Sequence, residues 1–132
     1  MASTTVSTGI TLEYEVHGEG DPLLLVMGLG GQLVAWPSSF IAGLVDRGFK
    51  VITFDNRDIG LSTKVDAAPP TKLQSAMFSI SRRFAKSAYL LSDMAKDAVG
   101  LLDALNIERA HVVGMSMGGM IAQTMAIEHP SR

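Results

Sequence analysis

Short runs of alternating or unbroken apolar residues take turns along this chain with stretches whose apolar positions recur every three or four residues. That is the pattern of strands alternating with helices. Thr4 to Thr8 and Ile10 to His17 read as two short strands about a turn at Gly9, the second alternating through Ile10, Leu12, Tyr14 and Val16. Gly18-Glu19-Gly20-Asp21-Pro22 breaks the chain. Leu23 to Met27 is then continuously apolar, as a parallel strand covered on both faces should be, and it runs into Gly28-Leu29-Gly30-Gly31. Ser38 or Ser39 is predicted to cap a helix with Phe40, Ile41, Leu44 and Val45 on one face, and Gly48 fits just past its end. Val51 to Phe54 is the next strand, followed by the polar loop Asp55-Asn56-Arg57-Asp58-Ile59-Gly60-Leu61-Ser62.

Beyond Pro69-Pro70, the stretch from Met77 to Ala88 carries Arg82, Arg83 and Lys86, which read as a solvated helix face; a membrane-surface role for these charges is a side hypothesis. Ser92 is predicted to cap a helix in which Met94, Ala98, Leu101, Leu102 and Leu105 recur at helical spacing, with Asp93 in its first turn and an end near Asn106. Ala110 to Val113 is a further strand. Gly114-Met115-Ser116-Met117-Gly118-Gly119 leads from it directly into a helix with Met120, Ile121, Thr124 and Met125 on one face, stopped by His129-Pro130. Alternating strands and helices with no internal repeat predict the α/β class.

Composition narrows this picture without redirecting it. At 132 residues one domain is expected, and a net charge of -2 argues against a nucleic-acid partner. With no cysteine there is neither a disulfide framework nor a thiolate zinc site. The segment Met1 to Thr5 has no signal-peptide character, and no apolar run approaches the roughly 18 residues of a membrane span, so a soluble, cytoplasmic protein is expected. The eight methionines read as flexible core filler.

The chemistry concentrates at Gly114, Ser116 and Gly118. A serine between two glycines, at the point where a strand turns sharply into a helix, is lifted clear of the sheet, and the glycines remove side chains that would crowd the turn. The helix N-terminus directs the Met117 N–H toward an oxyanion forming beside the hydroxyl. A second donor is expected from the loop after the central strand, where Gly28 and Gly30 let the backbone approach a substrate and Leu29 N–H is the candidate. The plainer alternatives are a helix N-cap for Ser116 and a tight loop or phosphate cradle for Gly28 to Gly31. A dinucleotide fingerprint fits poorly, because Leu33 stands where its third glycine belongs.

The succession Val26-Met27-Gly28-Leu29-Gly30-Gly31, Phe54-Asp55-Asn56-Arg57-Asp58 and Gly114-Met115-Ser116-Met117-Gly118-Gly119 resembles the N-terminal half of α/β-fold hydrolases. Within them it is most similar to bacterial carboxylesterases related to aclacinomycin methylesterase and to mycobacterial LipG-type lipases or esterases. Many relatives carry His where this chain has Met27. The resemblance implies the N-terminal part of a hydrolase sheet, mostly parallel with antiparallel first strands and helices on both faces. It also implies that Asp55 and Arg57 brace their loop, and that a serine rather than the carboxylate of haloalkane dehalogenases and epoxide hydrolases sits at the elbow.

In that family the acid and the histidine follow the nucleophile, beyond later strands. Of the histidines present, His111 lies ~16 Å back along the strand that ends near Ser116. His129 stands about 20 Å along the following helix, and His17 closes a strand running the opposite way. None is expected to reach Ser116. Residues 1–132 are accordingly expected to form a single, incomplete α/β-hydrolase domain. It would be a cofactor-free, metal-free serine hydrolase for a small-molecule or lipid ester or thioester, needing a C-terminal half or a complementing chain for activity. The alternative is a non-catalytic module that associates with itself or a partner through the bare edge of its last strand.

Overall fold

The computed structural model describes residues 1–66 and 87–132. The Pro69-Pro70 break and the basic residues Arg82, Arg83 and Lys86 lie outside the described residues. Strands β1 (Ala2–Thr5) and β2 (Thr11–His17) form an antiparallel hairpin, with Ala2 opposite Tyr14 and Thr5 opposite Thr11. The first strand therefore begins and ends earlier than the Thr4 to Thr8 expected. The turn takes over at Val6, whose N–H donates to the Ile10 carbonyl while Gly9 N–H donates back to the Val6 carbonyl. Gly9 supplies the positive φ of 82° that this turn needs.

Strands β3 (Asp21–Val26), β4 (Phe49–Phe54) and β5 (His111–Gly114) complete a sheet of order β1-β2-β4-β3-β5. β2 meets β4 antiparallel, whereas β4, β3 and β5 are parallel to one another. The sheet is thus mixed, with the antiparallel first strands expected and a parallel arrangement of the other three. Because β3 and β4 are central, their alternate residues feed two separate cores. Leu24, Val26, Ile52 and Phe54 pack under helices α2 (Leu91–Ala104) and α3 (Met117–Glu128). Leu23, Leu25 and Val51 pack on the other face, joined by Met27, Trp36 and the Ile41, Leu44 and Val45 of helix α1 (Ser38–Val45).

The helices begin differently from the capping serines expected. Pro37 occupies the N-cap position of α1, and no side chain caps that helix. Leu90 occupies that position in α2, and its N–H donates to the Asp93 carboxylate at 2.8 Å. Ser92 instead donates to Glu128 at 2.6 Å, tying the start of α2 to the end of α3. Asn106, at φ 55°, closes α2 as expected, and Ile107 N–H reaches back to the Leu102 carbonyl.

Among the described residues β5 pairs on one side only, with β3, and ends the sheet. Its residues alternate between exposed and half-buried, where the last four of β3 are all buried. Among the described residues no helix is long and apolar enough to cross a membrane.

Candidate active site

Ser116 sits in the two-residue gap between β5 and α3, at φ 55° and ψ -122°. An L-residue with a Cβ rarely holds that conformation, and doing so costs of order 1–3 kcal/mol. The strain follows from the sharpness of the turn. A Cβ on Gly114 would stand 2.1 Å from the Gly118 carbonyl oxygen, and one on Gly118 would stand 2.0 Å from that of Val26, so both positions have room only for glycine. Ser116 occupies the N-cap position of α3 yet makes no side-chain capping bond, so the helix-cap alternative does not account for it. Its side chain is exposed.

The glycine loop after β3 backs directly onto this serine. A Cβ at Gly28 would lie 3.0 Å from both the Met115 carbonyl oxygen and Ser116 Cβ, and 3.6 Å from Ser116 Oγ. Gly30 turns the loop with φ 73°, and Gly31 N–H closes it on the Gly28 carbonyl at 3.2 Å. Met117 opens α3, so its N–H has no acceptor within the helix. Leu29 N–H has no hydrogen-bond partner among the described residues, and the Leu29 side chain is 82% exposed. The fold therefore gathers Gly28, Leu29, Gly114, Ser116, Met117 and Gly118 at the C-terminal end of the parallel strands. Gly30 shapes the loop that brings them together.

The loop after β4 holds this arrangement from behind. Buried Asp55 accepts from Leu33 N–H at 2.6 Å and from Leu61 N–H at 3.2 Å, linking the glycine loop to its own. Asn56 donates to the Met27 carbonyl at 3.0 Å. Arg57 grips Asp97 of α2 with two hydrogen bonds, Nε to Oδ2 at 2.7 Å and Nη2 to Oδ1 at 2.8 Å, and Thr8 donates to the same carboxylate at 2.5 Å. The hydrogen bonds to Asp97 raise the Arg57 pKa, against the effect of burial. The Tyr89 ring lies 5.0 Å from the guanidinium carbon.

These residues border a cleft of about 410 Å³ whose apolar wall includes Leu29, Leu91, Met94 and Met117, with Arg57, Ser87 and Tyr89 as its polar features. Sequence reading did not find the cleft or Asp97. The signal for Asp97 was present: a carboxylate three residues after Met94 and four before Leu101, inside an otherwise apolar stripe, requires a cationic partner.

Burial pushes the Tyr89 phenol up to about 12, assisted by its hydrogen bond to Asp58. A raised pKa means that the fold favours the neutral phenol. The resulting stability is complete below the ordinary tyrosine value of about 10 and is lost as pH rises through about 12. Titration of tyrosinate absorbance should accordingly show a late component that disappears in Tyr89→Phe. A Tyr89 midpoint at the ordinary value would contradict this packing.

The histidines lie elsewhere. His17 pairs with Val51, Val51 with Leu23 and Leu23 with His111, so two of them stand in one row across the sheet. Ser116 lies past the Gly114–Val26 pair three residues further along, more than about 10 Å away. His129 follows the last residue of α3, about 18 Å along the helix that Ser116 opens. The expectation that none of them reaches the serine agrees with the topology.

Residues 21–132 match the family described as the alpha/beta hydrolase fold. The chain belongs to the α/β-hydrolase family. Among α/β-hydrolases it is similar to rhodomycin D methylesterase DnrP of Streptomyces peucetius, with 36% identity over 120 residues that cover 88% of this chain and 35% of the relative. The enol-lactonase from Burkholderia xenovorans LB400 shares its fold with a TM-score of 0.76 and 29% identity, over 99% of this chain and 43% of that one. A hydrolase from Pseudomonas aeruginosa PA01 matches equally well, at TM-score 0.76 and 29% identity over 99% of this chain and 42% of that one. The chain thus spans less than half the length of these α/β-hydrolases.

Proposed function

We propose that this chain supplies the nucleophile and oxyanion hole of a serine hydrolase that cleaves carboxylic esters or thioesters through an acyl-enzyme. The observation that carries this reading is the strained, exposed and uncapped Ser116, flanked by the glycine loop and by Met117 N–H. Ser116 Oγ attacks the substrate carbonyl carbon, its proton passes to a base, and the carbonyl oxygen becomes an oxyanion held by Leu29 and Met117 N–H. The intermediate expels the alcohol or thiol, which takes the proton back, and water then hydrolyses the acyl-serine by the same path. No step calls for a metal or an organic cofactor. The relatives act as a methylesterase and an enol-lactonase by name, and both reactions fit an attack on an ester carbonyl.

With His17, His111 and His129 all remote from Ser116, the base and its orienting acid come from residues outside 1–132. Residues 1–132 alone are therefore incompetent as a catalyst. The full-length product of the gene encoding this chain should hydrolyse p-nitrophenyl acyl esters, and residues 1–132 expressed alone should not. Equal turnover by the two would overturn the assignment of the base.

A second reading is favoured by the one-sided pairing of β5. A strand edge with Val113 39% exposed is a template for association with another chain. Residues 1–132 alone should self-associate as concentration rises, and Val113→Lys should suppress it, as followed by sedimentation velocity. A monomer at every concentration would refute that reading.

A further inference from the structure

The cleft lined by Leu29 and by Met117, the residue after Ser116, is apolar over most of its wall but contains one guanidinium, and only part of that group is committed. Arg57 Nε and Nη2 are occupied by the Asp97 carboxylate, and Nη2 also donates to the Asp93 carbonyl at 3.3 Å. Nη1, with two N–H groups, has no hydrogen-bond partner among the described residues. A guanidinium gripped along one edge by a carboxylate leaves its other nitrogen as a rigid donor, positioned by the pair rather than by a flexible stem. Arg57 is 8% exposed and lines the same cleft as Leu29 and Met117, the two candidate oxyanion donors.

From this arrangement we infer that Arg57 is a specificity-determining residue, whose Nη1 holds a second, uncharged oxygen acceptor on the substrate, a ketone or hydroxyl. The inference rests on Ser116 acting as proposed above. Two features select a neutral group over a carboxylate. The Arg57 charge is already matched by Asp97 at hydrogen-bond distance, and the carboxylate of Asp93 stands one helical turn before Asp97. A second anion would therefore enter an apolar cleft without an uncompensated cation to meet it, which is costly. A neutral carbonyl loses little on entering and gains one charge-assisted hydrogen bond. The preferred substrates are then esters bearing a keto or hydroxyl oxygen along the part that occupies the cleft, rather than plain alkyl esters or hemi-esters of diacids.

The test uses the full-length product of the gene and two ester series, one with a ketone moved along the acyl chain and one with it moved along the alcohol. Each keto ester is compared with its all-methylene counterpart and with the matching carboxylate. Wild type should prefer a keto ester in at least one series by about tenfold in kcat/KM, mainly through KM, and should show no preference for the carboxylate. Arg57→Lys keeps a cation against Asp97 but lacks the second nitrogen, so the keto-to-methylene ratio should fall to near one. Should that variant fail to fold, Arg57→Gln combined with Asp97→Asn keeps a neutral hydrogen-bonded pair and should erase the same ratio. A keto preference that survives either variant, no preference in either series, or equal losses on keto and plain esters would each overturn the inference. Wild type that hydrolyses none of the esters would overturn the Ser116 reading and this inference with it.

Discussion

Replacing Ser116 by alanine is expected to lower kcat/KM for ester hydrolysis by about 10⁴-fold or more, leaving only the rate that binding and the oxyanion donors supply. The fold should be unharmed, because Ser116 is exposed and its hydroxyl caps nothing. A stability measurement separates this loss from unfolding. The companion change Ser116→Gly should be equally inactive and more stable by about 1 kcal/mol, because glycine adopts the φ of 55° without the cost that a Cβ brings. A site that gains stability when its reactive group is removed holds strain for a reason other than folding. Retained turnover in Ser116→Ala, or a destabilised Ser116→Gly, would contradict this picture.

The second large effect concerns the support behind the site. Arg57→Ala is expected to cost about 3–5 kcal/mol, since it strands the Asp97 carboxylate, 2% exposed, without its counter-charge. Asp97 would keep Thr8 as a donor, which is too little for a buried carboxylate. The double change Arg57→Met with Asp97→Leu should recover much of the loss by replacing the pair with apolar packing. Denaturant midpoints of the two single variants and the double variant give the comparison. An Arg57→Ala protein as stable as wild type would mean that the pair is not buried as described.

The elements legible in the sequence were those whose pattern is set by burial. Leu23 to Met27 read as a central strand because both faces of β3 are covered, and the α2 stripe of Met94, Ala98, Leu101 and Leu102 read correctly for the same reason. Gly114, Ser116 and Gly118 were legible because a sharp strand-to-helix junction tolerates few residue types there. What was misread depended on tertiary partners. Ser92 reads as a cap until Glu128, 36 residues away, takes its hydroxyl. The limits of β1 are set by the partner residues of β2, and nothing within Thr4 to Thr8 distinguishes them.

The cleft lay beyond reach because its walls come from Leu29, Arg57, Tyr89 to Leu91, Met94 and Met117, which only the assembled sheet and helices bring together. Asp97 was hidden differently. Its position in the α2 stripe was visible, but its partner Arg57 sits in a loop 40 residues earlier.

The most direct test of the account is to locate the covalent adduct formed by a fluorophosphonate probe on the full-length product of the gene, by mass spectrometry of its peptides. A single adduct on Ser116, absent from Ser116→Ala, is the predicted result. Turnover of esters with the adduct on a different residue, or with Ser116 unmodified, would contradict it.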